Sequence, residues 1–250
     1  MGEADLLAVC NLVADEIALA IGSVEGWGRP GERPGQYAVD LVADAAGVAV
    51  LLDAGMGVLS EESGLHEGQR ELLAVLDPLD GSSNAAHGLP WYATSVCVLD
   101  DLGPRAAVVA NQATGVRYDA IRGGGARRGD RPLSASGCVS LPQAIVALSG
   151  YPARHLGWNQ YRCLGAAALD LCAVAEGALD AYAVVGNSSL GSWDYMGGML
   201  VCTEAGAVVV EAGGLDLLTV DHDARRCPLA AATPELLDEL RAGVEAARRA

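Results

Sequence analysis

Apolar residues recur at helical spacing from the start of the chain. In EADLLAVCNLVADEIALAI (residues 3–21), Leu6, Val9, Leu12, Val13, Ile17 and Ala20 fall along one face and predict an amphipathic helix. The Gly- and Pro-rich segment EGWGRPGERPGQ (25–36) breaks that pattern and predicts a mobile loop. Helical spacing returns over 40–53. The period then shortens. GVLSEES (57–63) predicts a short strand ending in acids, and the continuous apolar run LLAVLD (72–77) predicts a buried strand stopping at Asp77. Further strands are expected at ATSVCVLD (93–100), RAAVVAN (105–111) and GVRYDAI (115–121), with a hairpin-like turn at RGGGARRGDRP (122–132).

The stretch SASGCVSLPQA (134–144) divides the chain into an N-terminal half, 1–137, and a C-terminal half, 138–250. The second half alternates: strand 144–149, helix 165–176, strand 179–185, helix 194–205 and strand 206–211. That order predicts α/β layers there, against an α+β first half. A final helix starts with Thr233 as cap and Pro234 at its first position, and Arg248 and Arg249 face the negative end of its dipole.

Composition narrows the classes of function. With 250 residues, about half of them apolar, the chain can form one large domain or two small ones sharing an interface. No apolar run approaches the roughly 20 residues of a membrane span. The acidic start MGEADLL lacks the basic region of a signal peptide, so a cytoplasmic protein is expected. There is no Phe and no Lys, and all 16 basic residues are Arg, a skew expected of a GC-rich bacterial genome. Without Lys there is no Schiff base and no P-loop. The net charge of −16 argues against nucleic acid. It also means that a phosphate ligand needs cations beside it. The seven cysteines form no CxxC and predict reduced, mostly buried thiols. The four histidines form no HxxxH pair, and no zinc site is expected.

One stretch calls for a partner outside the sequence. In LDPLDGSSN (76–84), Asp77 and Asp80 are separated by Pro78 and Leu79. Proline keeps Asp77 out of the helical region, so the chain bends and both carboxylates and the Leu79 carbonyl can converge. Two carboxylates that close repel unless one is protonated or a cation lies between them. Three oxygens from one bend suit Mg²⁺. Gly81 lets the backbone turn tightly, and Ser82 and Ser83 then offer N–H groups of the kind that hold anions. The alternative is an Asx-type turn with a solvated acid pair. Two more acidic segments accompany it: Glu61 and Glu62 at a strand end, and Asp194 on the first turn of a helix in GSWDYMGG. Each alone reads equally as a surface turn or as an acid favoured by the helix dipole.

LSEES, VLDPLDGSSNAAHG and WDYMGGMLVCTEAG, in that order, resemble the inositol monophosphatase family of Mg²⁺-dependent phosphatases, and GLPWYATSVCVLD and RCLGAAALDLCAVAEGALDAY match its intermediate blocks. The resemblance implies a layered αβαβα sugar-phosphatase fold, a homodimer, two or three Mg²⁺ ions (or Mn²⁺) and a small phosphorylated substrate. It implies that Glu61, Asp77, the Leu79 carbonyl, Asp80 and Asp194 bind metal. It implies that Gly81, Ser82 and Ser83 cradle phosphate, and that Asp80, Asp194, Gly165 and Ala166 stand near the substrate. Ser82 takes the place of a threonine that orients the attacking water. The implied reaction is hydrolysis of inositol monophosphate or a similar polyol or sugar phosphate. Histidinol phosphate, a 3′-phosphoadenosine nucleotide, or a non-catalytic relative that only binds metal and ligand are the alternatives.

The chain departs from the family pattern in places. The family pairs its threonine with an aspartate in a V-T-x-x-D stretch, whereas VDLVADAAG here has no Thr. Aligning on AD makes Asp44 the counterpart, and aligning on DLV puts Ala46 there; the expectation adopted is Asp44. The acid that holds an inositol hydroxyl in the animal enzymes is missing from AYAVVGNSSLGSWD, where Asn187, Ser188 and Ser189 are expected to line the wall instead.

Overall fold

The protein is described from a computed structural model covering residues 1–33 and 36–248, so Arg249 and part of the 25–36 loop lie outside the described residues. Helix α1 (Glu3–Gly22) buries Leu6, Cys10, Val13 and Ile17, one stripe at the predicted spacing. Leu12, expected on that stripe, is 47% exposed. Helix α2 (Ala38–Asp53) packs against α1, and the two cover one face of the first sheet.

That sheet contains β1 (Gly57–Ser60), β2 (Gly64–His66), β3 (Leu73–Asp80), β4 (Ala93–Asp100), β5 (Gly103–Asn111), β6 (Arg117–Ile121), β7 (Gly125–Arg128) and β8 (Arg131–Pro132), in the order β2-β1-β3-β4-β5-β6-β7-β8. All its pairings are antiparallel except β1 with β3. The five-residue helix α3 (Ser82–Ala86) follows β3. Strand β3 does not stop at Asp77. It continues to Asp80 through a register shift, with Asp77 opposite Ser95 and Asp80 opposite Ala93. Pro78 has no N–H to pair, so two residues bulge against Thr94, whose hydroxyl donates to the Pro78 carbonyl at 2.9 Å.

The second sheet runs β10-β9-β11-β13-β12, from β9 (Ile145–Ser149), β10 (Gln160–Arg162), β11 (Ala181–Val184), β12 (Val208–Glu211) and β13 (Pro228–Ala231). Strand β9 is parallel to both neighbours, and β13 is antiparallel to both of its own. Helices α4 (Ala167–Ala175) and α5 (Ser192–Glu204) lie between the sheets, and α6 (Pro234–Arg248) covers the outer face of the second. Every residue of α4 is buried, as expected of a helix apolar all round. The order of layers is therefore αβαβα, the expected fold class. One continuous core joins Leu59 and Val75 of the first sheet, through Leu169 and Met196, to Tyr182 and Ala230 of the second.

Candidate active site and metal centre

The bulge in β3 aims two carboxylates at one point. The Leu79 N–H donates to Asp77 Oδ1 at 3.0 Å, which fixes the bend. Asp80 Oδ2 accepts the Ala168 N–H at 2.7 Å, on the first turn of α4. Asp194, on the first turn of α5, accepts the Gly191 N–H at 2.7 Å. Asp77, Asp80 and Asp194 each bring one carboxylate oxygen within 4.8 Å of the others. Glu61, in the turn after β1, is held by its N–H on the Leu76 carbonyl at 3.1 Å, beside Asp77. Segments far apart in sequence thus meet because the middle-layer helices begin where β1 and β3 end.

Burial and mutual repulsion push every member of the cluster up. Desolvation, then the charges of Asp194 and Glu62, lift Glu61 to about 8. Desolvation, then Asp80, lifts Asp194 to about 7. Asp77 and Asp80 are both held well above the usual carboxylate range, first by desolvation. Asp77 Oδ2 is buried with no hydrogen-bond partner. Repelling carboxylates, desolvated and with an orphaned oxygen, are what a hard divalent cation relieves. The donor set fits a metal of the Mg²⁺ type.

Two cavities flank the cluster. One of about 280 Å³ is lined by Asp40, Glu61, Ser82, Trp193 and His222 among others. The other, of about 340 Å³, is lined by Asp80, Asp194, Gly165, Ala167, Cys163 and Leu190 among others. Gly81 lies between them at φ 84°, and a Cβ there would stand 3.0 Å from the Trp91 carbonyl and 3.1 Å from Ala166 Cβ. Only glycine fits this turn. The first-turn N–H groups of Ser82 and Ser83 precede the first intrahelical bond, from Ala85 to the Gly81 carbonyl. Asn84 Nδ2 ties the turn to two neighbouring loops, through the carbonyls of Trp91 at 2.8 Å and Leu164 at 2.7 Å.

At three of the expected positions the structure places the residues differently. Asp44 does not face Ser82. It is buried a turn further along α2, where it accepts the Ser60 hydroxyl. Because α2 begins at Ala38, Asp40 is on its first turn, accepts the Tyr37 N–H at 2.8 Å and lines the same cavity as Ser82. A signal was available in an acid three residues past an extended cap. Ala166 is buried beneath Gly81, and Ala167 takes its place at the cavity wall. Asn187 opens onto a different cavity beside Pro152, and Ser188 packs on Gly150, leaving Leu190 at the wall. His222 and Arg225 line the site and lie in no motif, while Asp170, behind Asp80, lies within the RCLGAAALDLC block without having been singled out.

The profile of the "Inositol monophosphatase family" matches residues 38–248. The chain belongs to that family. It is accordingly a metal-dependent hydrolase of phosphoric monoesters. An Archaeoglobus fulgidus protein named fructose-1,6-bisphosphatase/inositol-1-monophosphatase is 32% identical over 229 residues, covering 87% of this chain and 88% of that one. A Pasteurella multocida relative, 31% identical over 200 residues (73% and 71% covered), is named Nus factor SuhB. Among solved structures, a Pyrococcus horikoshii protein described as having similarities to inositol-1 monophosphatase superimposes with a TM-score of 0.83 at 26% identity, covering 96% and 97%. No helix among the described residues is long and apolar enough to cross a membrane.

Proposed function

We propose that the protein is a Mg²⁺-dependent phosphatase of small, uncharged polyol or sugar monophosphates, inositol monophosphate among them. The carrying observation is the meeting of Asp77, Asp80 and Asp194 within 4.8 Å beside the Gly81 turn. Glu61, Asp77, the Leu79 carbonyl, Asp80 and Asp194 would hold two or three Mg²⁺ ions, and Mn²⁺ suits the same oxygens. When bound, the metal offsets phosphate charge and lowers the pKa of the attacking water. The chain's own groups do the rest. The N–H groups of Gly81, Ser82 and Ser83 face the phosphate oxygens. The Ser82 hydroxyl orients the water, and the Asp40 carboxylate takes its proton. Desolvation, then the Glu62 charge, pushes Asp40 up to about 6, a value suited to accepting a proton near neutral pH.

Water enters from the Ser82 side, and the leaving alkoxide departs in line into the opposite cavity. That cavity is walled by Leu148, Ser149, Gly150, Cys163 and Leu190, with no arginine among its lining residues. A second phosphate would meet no cationic side chain among those lining residues, which favours a neutral alcohol over a bisphosphate or nucleotide. The test is phosphate release from a panel of monoesters and bisphosphates, with and without Mg²⁺, for wild type and Asp77→Asn. Metal-dependent release lost in the variant supports the reading. Metal binding with no turnover of any ester overturns it.

A further inference from the structure

The metal cluster draws on both halves of the chain, so something must hold them in register. Glu61 belongs to the edge of the first sheet, while Asp194 belongs to the middle layer. The segment between β12 and β13 touches both. Leu190 and Arg226 exchange both backbone hydrogen bonds at 2.9 Å, which fastens the segment just ahead of α5. The Trp193 side chain folds back over Gly191, where a Cβ would lie only 2.3 Å from the indole, so its ring has one place to go. His222 rests on that ring, with centroids 4.8 Å apart and a 34° tilt. Arg225 lies over it too, at 5.2 Å, and donates to the His222 carbonyl at 2.8 Å. From this platform His222 Nε2 reaches across to the Glu61 carbonyl at 3.0 Å. A carbonyl can only accept, so Nε2 carries the proton.

We propose that His222 is a positioning residue: seated on Trp193 and bonded to the backbone of Glu61, it clasps the two halves and sets the spacing of Glu61 and Asp194 for the metal. The proposal rests on the metal-dependent reading of the site. It assigns His222 no contact with substrate. Partners that orient ligands from behind commonly govern metal affinity by about tenfold or more.

Three variants separate the clasp from simple packing. His222→Phe keeps a ring on Trp193 and loses the donor, His222→Gln keeps a donor and loses the ring, and His222→Ala loses both. Calorimetric titration with Mn²⁺ is compared with the metal-free melting temperature. The expected result is about tenfold weaker Mn²⁺ binding in His222→Phe and His222→Ala, with most of it restored in His222→Gln. Metal-free melting should stay within a few degrees of wild type, and kcat should recover at high metal. Unchanged Mn²⁺ affinity in His222→Phe, or His222→Gln no better than His222→Ala, would overturn the clasp alone. A wild-type protein that takes up no Mn²⁺ would instead remove the reading beneath it, and the clasp with it.

Discussion

Asp170→Asn should gain stability relative to the wild type as pH rises, because it removes a pH dependence. Asp170 is 0% exposed on α4, and its Oδ1 accepts the Trp91 indole N–H at 2.9 Å. Its Oδ2 is buried without a partner. Burial pushes this carboxyl from 3.8 up to about 7, against a smaller lowering by the Trp91 bond. A raised acid stabilises the folded state fully only below the unfolded value, and that stability drains away as pH climbs to the folded value. From pH 5 to the folded value of about 7 is two units, and at about 1.36 kcal/mol each the wild type should lose roughly 3 kcal/mol by pH 8 through this one group. Asparagine keeps the acceptor for Trp91 and cannot ionise. Whatever its amide costs is the same at both pH values and cancels in the difference. Urea unfolding of both proteins in EDTA at pH 5 and pH 8 reads this directly. The stability gap should shift toward the variant by about 3 kcal/mol across that range. Two superimposable pH profiles would refute the argument that Asp170 is buried as a poorly partnered acid.

Other outcomes follow from the same geometry. Asp40→Asn should lower kcat by about 100-fold or more with little change in melting temperature, whereas Asp44→Ala, which removes the acceptor of the buried Ser60 hydroxyl, should lower stability and leave kcat near wild type. Gly81→Ala should cost about 2 kcal/mol or more, since φ is 84° and the new methyl meets the Trp91 carbonyl at 3.0 Å; urea midpoints and phosphate release should both fall. Metal-free protein should lose stability as pH rises toward 8, because Asp194 and Glu61 are lifted to about 7 and about 8 above their ordinary values. Saturating Mg²⁺ should raise the melting temperature most at the alkaline end, and an equal shift at every pH from 5 to 9 would contradict this.

The sequence by itself determined the elements and the acids. Period alone marked α1, the β3 run and the alternation of the second half, because a stripe or a run of apolar residues must be buried somewhere. Asp77 and Asp80 stood out because two carboxylates at one proline bend repel without a cation, while Glu61 and Asp194 stood out through the resemblance of LSEES and WDYMGG to a family's motifs. Only the tertiary structure decided which neighbours those elements bring. PLAA, weak in strand propensity, becomes β13 because β11 and β12 offer it two ladders. Asp40 rather than Asp44 shares Ser82's cavity because α2 starts at Ala38, and helix ends are set by caps and packing rather than by spacing. His222 touches Glu61 across 161 positions of chain, a contact no local pattern encodes, since it exists only once the two sheets have closed on their shared helices.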